Sequence, residues 1–167
     1  DMPGVLDKLY VPYFLMLRRW YGTMRVGVTG GEVYDAVKDV VEDPFFGIAL
    51  NPGHQLRDEE WINAPFAPGS KAELPSGTAI QCDIISEAPA PYYGIHTEDG
   101  LVLADKVLRN QLKGLYPEAW QRIVQRRTVM IEQLGYKLHE DVLPLSDIQG
   151  FVTPYLLNPG LALCYKE

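Results

Sequence analysis

Asp83 interrupts the apolar run Ile80-Gln81-Cys82-Asp83-Ile84-Ile85, and that placement restricts the fold more than any other feature of the chain. Thr78 to Ile85 reads as a strand, opened by the turn-forming Leu74-Pro75-Ser76-Gly77. In an extended segment Ile80, Cys82 and Ile84 share one face, while Gln81, Asp83 and Ile85 share the other. One face therefore belongs to a hydrophobic core and the other must shelter a carboxylate. Burying a carboxylate is costly unless it is paired, hydrogen-bonded or bound to a metal. Two more polar residues occupy comparable settings: His54 ends Pro52-Gly53-His54 after an apolar stretch, and Glu98 precedes Leu101-Val102-Leu103. A shared site is the simplest explanation for all three.

The remaining sequence bounds what can surround that site. A chain of 167 residues accommodates one domain with a substantial core and leaves little room for a second. Fifteen basic against 22 acidic residues give a formal charge of -7, and no basic run stands out, so a nucleic-acid partner is not expected. Cys82 and Cys164 lack Cys-x-x-Cys spacing and fall in apolar contexts, which reads as two reduced, buried thiols in a cytoplasmic protein. No signal-peptide pattern opens the chain and no uninterrupted apolar run reaches about 18 residues, so no membrane association is expected. The opening Asp1-Met2-Pro3-Gly4 lacks an initiator-like start, and upstream residues are therefore expected.

Periodicity divides the chain into helical and extended parts. Val5 to Trp20 places Leu6, Leu9, Tyr13, Leu17 and Trp20 at helical intervals, with Pro12 expected to kink the helix or mark its true start. Thr29-Gly30-Gly31-Glu32 has capping-box spacing, followed by the stripe Val33, Val37, Val40 and Val41, and Pro44 should end that helix. Phe45 to Phe66 reads as a structured loop with one short strand at Gly47 to Leu50. Tyr92 to His96 and Leu101 to Ala104 read as two further extended pieces. Lys106 to Leu112 suggests a short helix ending at Gly114. Glu118 to Leu134, started by Pro117 and stopped by Gly135, carries the stripe Trp120, Ile123, Val124, Ile131 and Leu134. Leu143 to Pro154 reads as loop and Leu161 to Tyr165 as a terminal strand. The order predicts an α+β class, a small mixed sheet with flanking helices, rather than a doubly wound sheet.

By residue type alone, one imidazole and two carboxylates form a reasonable partial shell for Zn²⁺, Mn²⁺, Co²⁺ or Fe²⁺ without discriminating among them. Each residue also has an ordinary alternative. His54 can be a loop histidine bonded to neighbouring backbone, Asp83 an ion-paired residue at a sheet edge, and Glu98-Asp99-Gly100 an exposed hairpin turn. His96 shares strand parity with Glu98, which makes it a partner of a metal ligand, a substrate contact or a cleft-lining structural histidine. Arg57 can offer charge to a carboxylate or a developing oxyanion, or pair with Asp58 or Glu60. His139, followed by Glu140-Asp141, reads as solvated or loop-packing.

Taken in order, three segments resemble the C-terminal part of the catalytic domain of the pita-bread metallopeptidase family, which includes methionine aminopeptidases, Xaa-Pro aminopeptidases, prolidases and creatinase. Pro52-Gly53-His54 is similar to its Gly-His segment. Leu74 to Asp83 resembles the strand carrying an acidic ligand, with Asp83 where most members have glutamate, and Gly94 to Leu103 resembles the final ligand strand, with Glu98 at the bridging glutamate. The resemblance runs to about Ala104, leaving 105–167 as helices and a tail. It implies a pita-bread fold in which His54, Asp83 and Glu98 ligate a divalent metal pair (Mn, Zn, Co or Fe), His96 and Arg57 assist, and short peptides, Xaa-Pro peptides among them, are hydrolysed.

The departures matter equally. That family places two aspartates on strands upstream of the histidine, and no acid before His54 reproduces the pair; nor does a second histidine follow in Gln55 to Trp61. The chain is accordingly expected to be part of a catalytic domain, with its metal pair incomplete or empty, inactive alone, and associating as a homodimer or with the rest of the domain. A creatinase-like non-peptidase, a pseudoenzyme and an interaction domain are the competing expectations.

Overall fold

The computed structural model describes residues 4–57, 62 and 64–166. A π-helical turn at Leu6–Tyr10 runs directly into helix α1, Val11–Thr23. Pro12 falls in the first turn of α1, where its missing N–H costs least, so the expected kink is replaced by a widened turn just before it. α1 buries Tyr13, Phe14, Met16, Leu17, Trp20 and Tyr21, the spacing of one helix face. Helix α2, Gly30–Val41, starts with the full capping box. Thr29 Oγ1 accepts from the Glu32 N–H, and the Glu32 carboxylate accepts from the Thr29 N–H. Its valines at 33, 37 and 40 are buried, as their spacing requires.

Four strands form one sheet in sequential order, β1 His54–Gln55, β2 Ala79–Ile85, β3 His96–Leu103 and β4 Val142–Pro144. All three ladders run antiparallel. Helices α3, Lys106–Leu115, and α4, Pro117–Thr128, follow β3, and α4 continues as a π-helical turn at Val129–Gln133. The architecture is α+β with a small sheet and flanking helices.

Both faces of β2 behave as its alternation demands. Ile80, Cys82 and Ile84 are fully buried with Leu101 and Leu103 of β3, in one core with α1 and α2. The opposite face is divided. At its β4 end, Val102 and Leu143 pack with Ile123, Leu108, Leu112 and Trp120 of α3 and α4; at its β1 end lie the polar residues of the candidate site.

Several expectations are corrected. Of the two extended pieces, Tyr92 to Ile95 is turn and irregular chain, with Tyr93 at φ +62°, while a single strand runs from His96 to Leu103, because Glu98-Asp99-Gly100 pairs with Asp83, Cys82 and Gln81 rather than turning. Gly47 to Leu50 contributes only an isolated bridge, Ala49 to Ile85. The segment read as loop after Leu143 begins within β4, whereas Leu161 to Tyr165 is irregular, attached by Leu163 N–H to Val152 O and Tyr165 N–H to Leu134 O. In the long C-terminal helix the buried face is narrower than the expected stripe: Ile123, Met130 and Leu134 are buried at helical spacing, while Val124 and Ile131 are exposed. Cys82 is buried but Cys164 is exposed, since the tail carrying it lies on the surface. Among the described residues no helix is long and apolar enough to cross a membrane.

Candidate metal site

β1 is only two residues long, and its position is set by Gly53. At φ +97° Gly53 adopts a backbone conformation that L side chains rarely take. A Cβ there would stand 2.7 Å from the Gln81 carbonyl oxygen. Trp20 reinforces the approach by donating its indole N–H to the Pro52 carbonyl at 2.8 Å. His54 thereby pairs with Gln81, and Asp83 with Glu98. Residues directly opposite in an antiparallel ladder share a face, so His54, Gln81, Asp83, His96 and Glu98 all project from the side of the sheet away from the main core.

His54 and Asp83 are buried together, at 3% and 5% exposure, with His54 Nε2 3.5 Å from Asp83 Oδ2. The other imidazole nitrogen, Nδ1, stands 3.2 Å from the Gln55 carbonyl. A carbonyl only accepts, so Nδ1 carries a proton in this contact and Nε2 faces the carboxylate. Asp83 Oδ1 is occupied separately by His96 Nε2 at 2.8 Å, and His96 is half exposed. Glu98, also exposed, accepts from Gln81 Nε2 at 2.7 Å.

Neither of these two carboxylates meets an arginine among the described residues, a condition they share with Glu42, Asp99 and Asp105. Asp39, Glu32, Glu140, Asp141 and Asp147 each meet an arginine. Among the described residues Asp83 meets only imidazoles, and Glu98 only a neutral amide. Within that set no lysine or arginine pairs with either carboxylate.

At the His54–Asp83 pair one imidazole and one carboxylate stand together, two donors where a tetrahedral site takes four. Metal–ligand bonds of about 2.1 Å in tetrahedral geometry place neighbouring donors about 3.4 Å apart. The observed 3.5 Å is close to that and longer than an ordinary hydrogen bond. Gln55 and His96 supply the outer contacts that ligating imidazoles and carboxylates usually have. Glu98 is one cross-strand pair away but turned to Gln81. Consequently, among the described residues, no three His, Cys, Asp or Glu side chains stand together as a metal-holding group.

The other expected residues are placed as follows. Arg57 is exposed just beyond β1, and its alternative partners Asp58 and Glu60 lie outside the described residues. His139 Nδ1 contacts Asp141 Oδ2 at 3.0 Å, in a cluster with Arg109 remote from β1. Cys82 faces the core, where burial pushes its thiol well above the usual range and leaves it inert.

Two contributors escape a reading by pattern. Gln81 shares parity with Asp83, a visible signal, but its contact to Glu98 depends on register. Tyr13 of α1 carries no signal at all. From the core side its hydroxyl donates to the Ile84 carbonyl at 2.6 Å and accepts from the Thr97 N–H at 3.1 Å, at the rung beside Asp83 and His96.

Two solved structures share part of this chain course. One is a dipeptidase from Pyrococcus horikoshii OT3, with 16% identity over 61% of this chain and 29% of that one, at a TM-score of 0.46. The other is an X-Pro aminopeptidase from Thermotoga maritima MSB8, with 14% identity over 64% of this chain and 30% of that one, also at 0.46. The aligned part thus spans less than a third of the length of either. No protein-family model and no curated protein matches the chain.

Proposed function

We propose that the chain carries a divalent-cation site of a peptidase acting on short peptides, Xaa-Pro peptides among them, with His54, Asp83 and Glu98 as ligands. One observation carries this reading: a buried imidazole nitrogen faces a buried carboxylate oxygen at 3.5 Å, a spacing that suits two ligands of one ion better than a hydrogen bond. The ordered resemblance of the Pro52–His54, Leu74–Asp83 and Gly94–Leu103 segments supports it. When bound, Mn²⁺, Zn²⁺, Co²⁺ or Fe²⁺ supplies hydroxide at neutral pH and polarises the peptide carbonyl.

The protein's own groups then have distinct tasks. His54 binds through Nε2, its ring held by the Gln55 carbonyl. Asp83 binds through Oδ2 while His96 holds Oδ1. Glu98 adds its carboxylate from the adjacent strand. Exposed His96, bound to Asp83 through Nε2, retains Nδ1 for contact with substrate. Arg57 is proposed to meet a substrate carboxylate. Without counterparts of the two upstream aspartates, hydrolysis is proposed for a longer chain, and cation binding for this one.

A competing interaction-domain reading has its own support, the absence of a three-donor group among the described residues. Titration with Co²⁺ separates the two. The peptidase reading expects one bound ion per chain and an affinity at least about ten-fold weaker in His54→Ala. A wild-type chain that binds no Co²⁺, or a His54→Ala chain that binds it equally, would sink that reading.

A further inference from the structure

Two consecutive turns shape the chain between Tyr155 and Leu161, closed by Asn158 N–H to Tyr155 O at 2.9 Å and by Leu161 N–H to Asn158 O at 3.2 Å. The second carries Pro159 and Gly160 at its corners, residue types that turns favour. The first carries Leu156 and Leu157, which stand 93% and 98% exposed. Beside them lies a groove of about 550 Å³, lined by Val5, Leu6, Tyr10, Tyr92 and Tyr155, with the two leucines as one wall. We propose that this knob and groove form a two-fold interface between two copies of the chain, each pair of leucines seated in the other copy's groove.

A single surface leucine is ordinary, but two at one turn corner joined to an apolar groove make a contiguous patch, the kind of surface that marks an interface. Shape and charge select the occupant. A convex knob beside a concave groove is self-complementary, because a two-fold axis between them places each knob over the other copy's groove. Among the described residues Asp7 is the one charged group in the lining, although 22% of the chain is charged. Two copies of net charge -7 therefore repel least when they meet there. A strongly basic or acidic protein would find almost no counter-charge, and an anionic bilayer no lysine or arginine in that described lining to hold its headgroups. The knob is also held in shape before it docks. Pro154 and Pro159 flank it, and Leu163 N–H bonds Val152 O across its base at 2.9 Å, so little freedom is lost on association. None of His54, Asp83 and Glu98 lines the groove, so the interface is independent of the cation-site reading.

Sedimentation velocity of the full chain over a concentration series tests the interface. The expected result is a reversible dimer in the wild type and dimerisation at least about ten-fold weaker in Leu157→Asp. Leu157 is exposed in the single chain, so the melting midpoint of that variant, read below the dimerising concentration, should match wild type. Leu6→Lys alters the groove and should weaken dimerisation in the same way. Mixed together, the two variants should form a heterodimer tighter than either homodimer, because one intact knob then meets one intact groove; no such rescue would overturn the pairing of knob with groove. Should Leu6→Lys fail to fold, Leu157→Asp keeps the test decisive by itself. A wild type still monomeric at concentrations on the order of 100 μM, or a Leu157→Asp chain that dimerises as well as wild type, would overturn the interface. Leu157-dependent flotation of a monomeric wild type with phosphatidylcholine vesicles would assign the knob to a lipid surface and overturn it as well.

Discussion

Gly53→Ala tests whether the site depends on a close backbone approach. The substitution meets two obstacles. First, φ +97° imposes a conformational penalty of roughly 1–2 kcal/mol on an L residue. Second, the new methyl would lie 2.7 Å from the Gln81 carbonyl oxygen and 3.2 Å from Trp20 Cζ2. The first of these atoms belongs to the β2 backbone and the second to a fully buried ring, so neither yields cheaply. Moving β1 away from β2 adds about 1–3 kcal/mol of the kind seen for overpacked cores. Together these give about 3 kcal/mol, which for a domain of this size corresponds to a fall of roughly 6–12 °C in Tm. Gly77→Ala is the control. It has φ +88° but nothing within 4 Å of the point where the added methyl would sit, so it carries the conformational term alone. Calorimetry on both variants, with Co²⁺ titration of Gly53→Ala, reads the stability and site effects separately. Equal Tm values for the two variants would refute the steric argument, and unimpaired Co²⁺ binding by Gly53→Ala would show that His54 does not need β1 where it lies.

Two other outcomes follow from buried charges. Burial raises the Asp99 carboxyl above its usual range, against the opposing pull of the Gly150 N–H, so the fold favours the protonated form. Its stabilising contribution is therefore complete below the ordinary carboxylate range and is lost as pH rises through the elevated folded value. Asp99→Asn should have a higher urea midpoint than wild type at pH 7, converging with it in acid; a variant less stable at pH 7 would contradict the sign. Arg109 bonds Asp141, Glu140 and the Ala104 carbonyl, and it and Asp141 are largely buried. Arg109→Met should cost about 1–3 kcal/mol by leaving the largely buried Asp141 to the Val26 N–H and His139 alone, whereas Arg25→Met at the exposed Glu32 pair should leave the midpoint nearly unchanged. Similar urea midpoints for the two would refute the distinction.

What the sequence discloses and what it conceals divide along physical lines. Local rules are legible: the α2 capping box, the alternation of β2 and the shared parity of His96 and Glu98 all emerge from spacing because each depends on neighbours in the chain. The strand through Glu98-Asp99-Gly100 is not legible, since those residues favour a turn and only pairing with β2 overrides them. The π turn at Val129–Gln133 likewise has no clear local cue. Within the site, residue types suggest His54, Asp83 and Glu98. Their separation into a contacting pair and a carboxylate held by Gln81 depends on strand register, which no single segment encodes.

Tyr13 gives helix α1 a direct hold on the two central strands. Its hydroxyl oxygen touches backbone atoms of both central strands, one residue from Asp83 on one side and one residue from His96 on the other. Tilting that helix would strain the two strands at the place where imidazole and carboxylate meet.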